Sequence, residues 1–277
     1  MAKNRFEGWY YKQRMGDYML SFIPGRAASG AFVQVIDSHG ARRFEMPDFH
    51  AEGDTIHTGN CVFSPEKAEV HLPGIDGTLC YGKTTPLRSD IMGPFAHLPM
   101  QCRHGVVSMR HTVNGSITVD GVTHVFEDGV GYAEKDSGRS FPRAYLWVQC
   151  NEFEAPCDFM LSVAHIPFLG FAFTGCICAL RYQNEEYRFA TYRGVKIRRM
   201  GEDGLALTQQ KLRLEVTFRP LAEGYALAAP KHGQMSETIR ESCDAYLHLR
   251  LLRAGETVFS CESNRAVCEL RGTLPLR

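Results

Sequence analysis

The sequence lacks a net charge, a long apolar run and any sustained helical periodicity. Lys and Arg together number 31, as do Asp and Glu, so the formal charge is zero. Nucleic-acid binding usually requires a basic excess or a basic stripe, so we expect no nucleic-acid partner. No run of about 18 uninterrupted apolar residues occurs, so no transmembrane segment is predicted. A transient contact with a membrane surface stays open.

Several catalytic signatures are also missing. The chain has no GxSxG elbow, no Walker A motif, no HExxH pair and no GxGxxG placed between a strand and a helix. His97, His104 and His111 recur every seven residues, which is not a metal-ligand spacing. We therefore expect no cofactor and no metal ion. Among these histidines, His104 is the candidate for a position in a pocket.

Ten cysteines are present, but the N-terminal residues lack the apolar core of a secretory signal. We therefore expect a cytoplasmic protein whose cysteines stay reduced and pack as small apolar residues. The sequence does not indicate an oligomeric state.

Short runs rich in aromatic and β-branched residues make up most of the chain, and Gly, Pro, Asp or Ser separates them. This pattern predicts an all-β sandwich or barrel. The dipeptides Asn114-Gly115 and Asp120-Gly121 predict hairpin turns. The segment 233–243 is the exception, because it has the features of one short helix with Ser236 as its N-cap.

The two halves of the chain resemble each other. Four pairs of segments occur in the same order, which indicates two similar antiparallel β-barrel or half-barrel domains packed together, at 1–140 and 141–277. The pairs are Trp9-x-Tyr11-x-Gln13 with Tyr145-x-Trp147-x-Gln149, Tyr18–Phe22 with Phe159–Val163, Ile23-Pro24 with Ile166-Pro167, and Gly131–Glu134 with Ala266–Glu269.

The densest chemistry lies between these halves, at Gly131–Pro142. Glu134 and Asp136 are two residues apart, so in an extended segment they share one side while Lys135 faces the other. Repulsion between the two carboxylates would favour keeping one of them protonated, and a protonated carboxyl can act as an acid. Alternatively, the triplet caps an interdomain turn, with Asp136 accepting backbone N–H bonds and Glu134 paired with an arginine.

Aromatic residues alternate along two of the predicted strands. Trp9 and Tyr11 share a face that ends in Gln13, and Tyr145, Trp147 and Gln149 share another. Apolar walls with a few polar tips are typical of a pocket for an amphipathic ligand. Ordinary core packing explains the pattern equally well.

Two motifs resemble those of a known family. Phe6–Lys12 resembles the FEGWYxK opening of the tocopherol cyclase-like proteins, and Tyr132–Pro142 with Trp147–Asn151 resembles their signature YAEKxWGxxFPxxWxWxQxN. Together with the tail 228–269, the resemblance spans most of the chain. It implies a pair of lipocalin-like barrels, shared with carotenoid hydratase-like and AttH-like proteins. Ser137 and Tyr145 stand where the family usually has Trp, and Asp136 stands where the plant pattern has Asn.

The resemblance also implies a chemistry, because the plant members close a chromanol ring on a prenylated quinol. Such a reaction needs an acid for the alkene, a base for the phenol, and aromatic walls that stabilise a cation. The leading hypothesis is binding of an apolar isoprenoid- or lipid-like small molecule, with acid-assisted cyclisation or hydration. A non-catalytic lipid carrier or sensor is the alternative, and a scaffold filled by its own side chains is a third.

Candidate residues follow from this resemblance. The proposed catalytic residues are Asp136, Glu134 and His104, and Tyr10 and Tyr132 are proton relays. The proposed substrate-binding residues are Trp9, Tyr10, Tyr11, Phe141, Tyr145, Trp147 and Gln149.

Overall fold

A computed structural model describes residues 4–168, 170–201 and 203–274 of the chain. Strands hold 72% of them and helices 3%, which confirms the all-β fold. The described helices are two short 3-10 turns, Gly93–His97 and Thr191–Arg193. Neither is long or apolar enough to cross a membrane, and no other helix occurs in the described ranges.

Eleven antiparallel strands form the first sheet, in the order β4-β3-β2-β1-β11-β10-β9-β8-β7-β6-β5. The strands are β1 Phe6–Met15, β2 Tyr18–Ala27, β3 Gly30–Asp37, β4 Gly40–Met46, β5 His50–Glu52, β6 Thr55–Thr58, β7 Cys61–Phe63, β8 Lys67–Leu72, β9 Ile75–Tyr81, β10 Cys102–Val119 and β11 Val122–Gly138.

Ten strands form the second sheet, in the order β15-β14-β13-β12-β21-β20-β18-β17-β16, with β19 paired to β20. The strands are β12 Tyr145–Cys150, β13 Cys157–Phe168, β14 Phe171–Tyr182, β15 Glu185–Ala190, β16 Lys196–Gly201, β17 Gly204–Gln209, β18 Leu212–Pro220, β19 Tyr225–Lys231, β20 Gln234–Arg253 and β21 Glu256–Arg271.

The two sheets share one topology. The first strand of each, β1 or β12, is hydrogen-bonded on one side to the next strand along the chain and on the other side to the last strand, β11 or β21. This arrangement confirms two similar antiparallel β structures and agrees with the repeat in the sequence.

The chain groups into two compact units. The first contains the chain up to Leu87, Cys102–Phe141 and Leu227–Thr238, and the second contains Arg88–Gln101, Pro142–Ala226 and the chain from Ile239 onward. The domain limits 1–140 and 141–277 stay a prediction.

Each unit has its own apolar core, and β1 and β12 face these cores differently. Trp9 and Tyr11 pack in the core of the first unit. In the second unit, Leu146, Val148 and Cys150 pack in the core. Because side chains alternate along a strand, the triplet of Tyr145, Trp147 and Gln149 lies on the face away from that core. We call this the Trp147 face. The two aromatic triplets of the repeat therefore lie on non-equivalent faces.

Two local predictions are wrong and one is confirmed. The segment 233–243 forms no helix, because most of it belongs to strand β20. Asn114-Gly115 makes no turn and lies inside β10 beside an irregularity in its pairing. Gly115 has a φ of +127°, and a side chain there would meet the carbonyl oxygen of Thr78. Asp120-Gly121 connects β10 to β11, and both residues have positive φ, as a tight hairpin turn requires.

Candidate active site

Glu134 and Asp136 lie within strand β11, not in a turn. They share one face with Tyr132, because alternate residues of a strand point the same way. Strand β10 runs antiparallel to β11, and its His104 lies directly opposite Asp136. Directly opposite residues share a face, so the pairing places an imidazole beside both carboxylates.

The His104 ring lies between the two carboxylates. Its Nδ1 is 3.1 Å from Asp136 Oδ1, and its Nε2 is 3.4 Å from Glu134 Oε2. An imidazolium carries an N–H on each ring nitrogen, so a protonated His104 can direct one N–H toward each carboxylate. We call His104, Glu134 and Asp136 the His104 site.

The His104 site is shielded from solvent to different degrees along its length. The Glu134 side chain is 7% exposed and that of His104 is 11% exposed, whereas that of Asp136 is 22% exposed. Electrostatic interactions strengthen as water is excluded. Of the three side chains, that of Asp136 is the most exposed to solvent.

Two further side chains complete the chain of polar contacts. The fully buried Tyr132 donates a hydrogen bond of 2.5 Å from its hydroxyl to Glu134 Oε2. Burial raises the pKa of Tyr132 well above its usual value, and the charge of Glu134 adds to this effect.

Cys102 donates a hydrogen bond of 3.6 Å from Sγ to Asp136 Oδ1. Burial, followed by the nearby Asp136 carboxylate, raises the pKa of the Cys102 thiol. Both groups therefore remain protonated donors.

A surface group in the same unit has similar chemistry. His71 Nδ1 is 2.7 Å from Asp76 Oδ1, and His71 Nε2 is 3.6 Å from Glu69 Oε1. The His71 side chain is 41% exposed, and that of Asp76 is 74% exposed. Water screens such exposed pairs. The His104 site differs from this surface group because its side chains are shielded from water.

The His104 site has the residue types of a metal centre. One ligand atom from each of His104, Glu134 and Asp136 lies within 4.8 Å of the others. A divalent cation would take one imidazole nitrogen together with carboxylate oxygens. The absence of a metal ion stays a prediction from the sequence, and these three residues are where it can be tested.

The opposite face of β1 and β11 has a second polar centre, at Asp54. Its Oδ1 accepts from Trp9 Nε1 at 3.1 Å and from Lys135 Nζ at 2.5 Å, and its backbone oxygen accepts from the hydroxyl of Tyr11 at 3.1 Å. Asp54 was not predicted from the sequence, because an aspartate in a Gly-Asp turn is ordinary. Trp9, Tyr11 and Lys135 thus meet away from the His104 site.

Tyr10 and Lys12 lie on the same face as the His104 site. Tyr10 pairs with Glu134 across the sheet, and Lys12 pairs with Tyr132. The Lys12 side chain is fully buried, which is rare for lysine and places a cation on the face that holds the carboxylates. Lys12 was not predicted as a site residue from the sequence, although its position within an aromatic-rich strand was a usable signal.

The other predicted binding residues are distributed over both units. Phe141 packs edge-on against Phe6 with ring centroids 5.5 Å apart. Tyr145 donates from its hydroxyl to Glu269 Oε2 at 2.7 Å. Trp147 and Gln149 are buried on the Trp147 face. Their role in binding a ligand stays a prediction.

Ser137, which stands where the family usually has Trp, lies on the other face of β11 from Glu134 and Asp136. It pairs with Glu7 on β1 and with Arg103 on β10. A side chain at this position points away from the His104 site, so the departure does not alter the group around His104.

Comparisons with known proteins agree with the fold and with the family resemblance. The tocopherol cyclase-like family model matches residues 48–272. The chain is 26% identical over 208 residues to a probable chloroplastic tocopherol cyclase of Oryza sativa subsp. japonica, covering 69% of this chain and 44% of that protein. The chain therefore spans less than half the length of this relative.

Solved structures show a similar fold at low sequence identity. The structure of CghA with Sch210972 aligns with a TM-score of 0.62 and 12% identity, covering 97% of this chain and 88% of that one. The kievitone hydratase of Nectria haematococca aligns with a TM-score of 0.52 and 9% identity, covering 97% and 89%. Identities this low establish a shared fold alone.

Proposed function

This chain belongs to the tocopherol cyclase-like family, and we propose that it catalyses acid-assisted cyclisation or hydration of a carbon–carbon double bond in an isoprenoid- or lipid-like small molecule. The observation that carries the proposal is the His104 imidazole held between two shielded carboxylates. Both reactions begin with proton transfer to an alkene carbon, which a positioned carboxyl can perform. The rice relative and the hydratase with a similar fold bear names that fit these two reactions.

In the proposed reaction, the Asp136 carboxyl transfers its proton to one alkene carbon. A C–H bond forms as the π bond breaks, and the other carbon becomes electron-poor. A hydroxyl oxygen attacks that carbon, from the substrate itself in cyclisation or from water in hydration. The new C–O bond forms, and the O–H proton returns to the carboxylates through His104. Cyclisation gives an isomer and hydration adds one water, so neither requires an oxidant or a reductant.

Each residue of the site has a distinct role in this scheme. Asp136 is the proton donor, because it is the most exposed of the three side chains. His104 passes protons between the carboxylates, since its two nitrogens face different partners. Glu134 is fixed by Tyr132 and stabilises the imidazolium, as buried carboxylates do beside catalytic histidines.

The test is incubation of the purified protein with a prenylated hydroquinone in D2O, followed by mass spectrometry of the products. A cyclised product should carry one deuterium on carbon that does not wash out in H2O. A hydrated product should carry that deuterium and the added mass of one water. His104→Gln and Asp136→Asn should lower kcat by about 100- to 10,000-fold, the usual contribution of general acid–base catalysis.

The matched control is His71→Gln, which removes an imidazole from between two carboxylates on the surface of the same unit. We expect this variant to retain full activity. If the wild-type protein binds the hydroquinone without converting it, the catalytic proposal fails and the carrier function is favoured. Equal loss of activity in the His71 and His104 variants would also contradict the proposal.

A further inference from the structure

Gln149 on the Trp147 face is a fully buried amide without hydrogen-bond partners. Its exposure is 0%, and neither its Oε1 nor its Nε2 has a partner among the described residues. Buried polar groups are almost always hydrogen-bonded, and an unpaired one destabilises the fold. An amide with both polar atoms unpaired therefore needs an explanation.

The side chains directly opposite Gln149 cannot satisfy this amide. Gln149 is directly opposite Met160 on β13 and Val267 on β21. Directly opposite side chains share a face and lie close together, so the amide has an apolar side chain on each side. Trp147, two residues earlier on the same face, adds an aromatic wall. Both directly opposite neighbours are thus apolar, while the carbonyl oxygen and the NH2 group of the amide have no hydrogen-bond partner.

The related glutamine of the first unit behaves differently. Gln13 accepts a hydrogen bond of 2.9 Å from the hydroxyl of Tyr81, so only its Nε2 lacks a partner. Gln13 therefore contributes to the core of its own unit. Gln149 has no such contact, although it occupies the matching position of the sequence repeat.

We propose that the Trp147 face is a binding subsite at which the Gln149 amide recognises a hydroxyl group on an otherwise apolar small molecule. A hydroxyl both donates and accepts, and the amide offers one carbonyl acceptor and two N–H donors. Tyr145 and Glu269 give the same face a second polar pair, linked at 2.7 Å. Apolar walls with a few placed polar groups are the usual composition of a small-molecule site. The inference rests on the ligand class of the proposed function but not on catalysis.

Trp147 provides a direct signal for the test, because the chain has only two tryptophans. In a Trp9→Phe background, Trp147 is the sole indole, and its fluorescence reports binding at this face. The probes are geranylgeraniol and its methyl ether, which lacks the hydroxyl donor. We expect the protein with Gln149 to bind the alcohol about tenfold more tightly than the ether, which is about 1.4 kcal/mol.

The decisive variant is Gln149→Met, which keeps the side-chain length and removes both polar atoms. It should bind the alcohol and the ether equally. Without a ligand its Tm should rise by about 2–4 °C, because an unpaired buried amide has been removed. Gln13→Met is the control and should lower Tm, since it breaks the bond to Tyr81.

Three results would overturn this inference. One is that Gln149→Met still prefers the alcohol, a second is that the protein with Gln149 never distinguishes the two probes, and a third is that it binds neither. The outcome is separable from that of the proposed function. Turnover of the hydroquinone that does not depend on Gln149 leaves the catalytic proposal intact, whereas probe discrimination without turnover supports the subsite and refutes catalysis.

Discussion

Acidification should destabilise the protein through His111, which is buried in the first unit. Its Nδ1 is 3.1 Å from Ser108 Oγ, and its ring lies 4.8 Å from that of Tyr81. Burial lowers the pKa of His111 from 6.5 to about 4. Below pH 6.5 the unfolded chain therefore takes up a proton that the native protein does not, and the free energy of unfolding falls. Below about pH 4 both states are protonated, so this loss stops.

The two pKa values set the size of the effect. The free energy of unfolding changes by about 1.4 kcal/mol for each pH unit between the two pKa values. The contribution of His111 should therefore make the native state about 2 kcal/mol less stable at pH 5 than at pH 7. The side chain is 4% exposed, so solvent screening removes little of this energy.

Urea unfolding at several pH values from 7 to 5 measures the effect. His111→Asn keeps a polar atom near Ser108 but cannot titrate, so its stability should depend less steeply on pH than that of the wild type. At pH 7 the variant should be less stable, because packing against Tyr81 is lost. His57→Asn, at an exposed position of the same unit, is the control and should follow the wild type. If His111→Asn loses as much stability as the wild type between pH 7 and pH 5, the reasoning is refuted.

Three further predictions concern the surroundings of His111 and of His104. Gly131→Ala should lower Tm, since the added methyl carbon would lie 2.1 Å from His111 Nε2. The control Gly40→Ala, whose methyl group would enter open space, should leave Tm almost unchanged. Equal Tm values for the two variants would contradict this prediction. Tyr132→Phe should cost about 2 kcal/mol in urea unfolding, because a hydrogen bond to a buried carboxylate is lost; unchanged stability would show that Glu134 does not depend on that bond. Dialysis against EDTA should leave hydroquinone turnover unchanged, because the two nitrogens of the His104 ring face separate carboxylates; loss of activity with recovery on adding Zn²⁺ would establish a metal centre instead.

Local rules predict a large part of this protein. Strand alternation places Glu134 and Asp136 on one face and Lys135 on the other, and the structure confirms this. The Asp120-Gly121 turn is also correct, because the positive φ angles it needs are a property of those residues. Asn114-Gly115 carries the same signal and makes no turn. Its glycine is required instead by the close approach of the Thr78 carbonyl from a neighbouring strand.

The choice of face was not predictable from the repeat. The triplets at Trp9 and at Tyr145 have nearly the same sequence pattern, yet the first packs into its core and the second lies away from its core. A one-residue change of register exchanges the two faces of a strand. Local sequence cannot fix that register, because it depends on how the whole sheet closes over its core.

The sequence by itself determined the all-β class, the repeated topology and the shared face of the two carboxylates. The tertiary structure alone decided that His104 joins them. If the β10–β11 hairpin kept the register of its first pair, Val119–Val122, without irregularities, His104 would lie opposite Ser137. Its ring would then lie on the face of the sheet away from Glu134 and Asp136. Irregularities in the β10–β11 pairing shift the register by one residue and bring His104 opposite Asp136. Such bulges are set by the packing of neighbouring strands, so the imidazole between the two carboxylates is a property of the folded sheet.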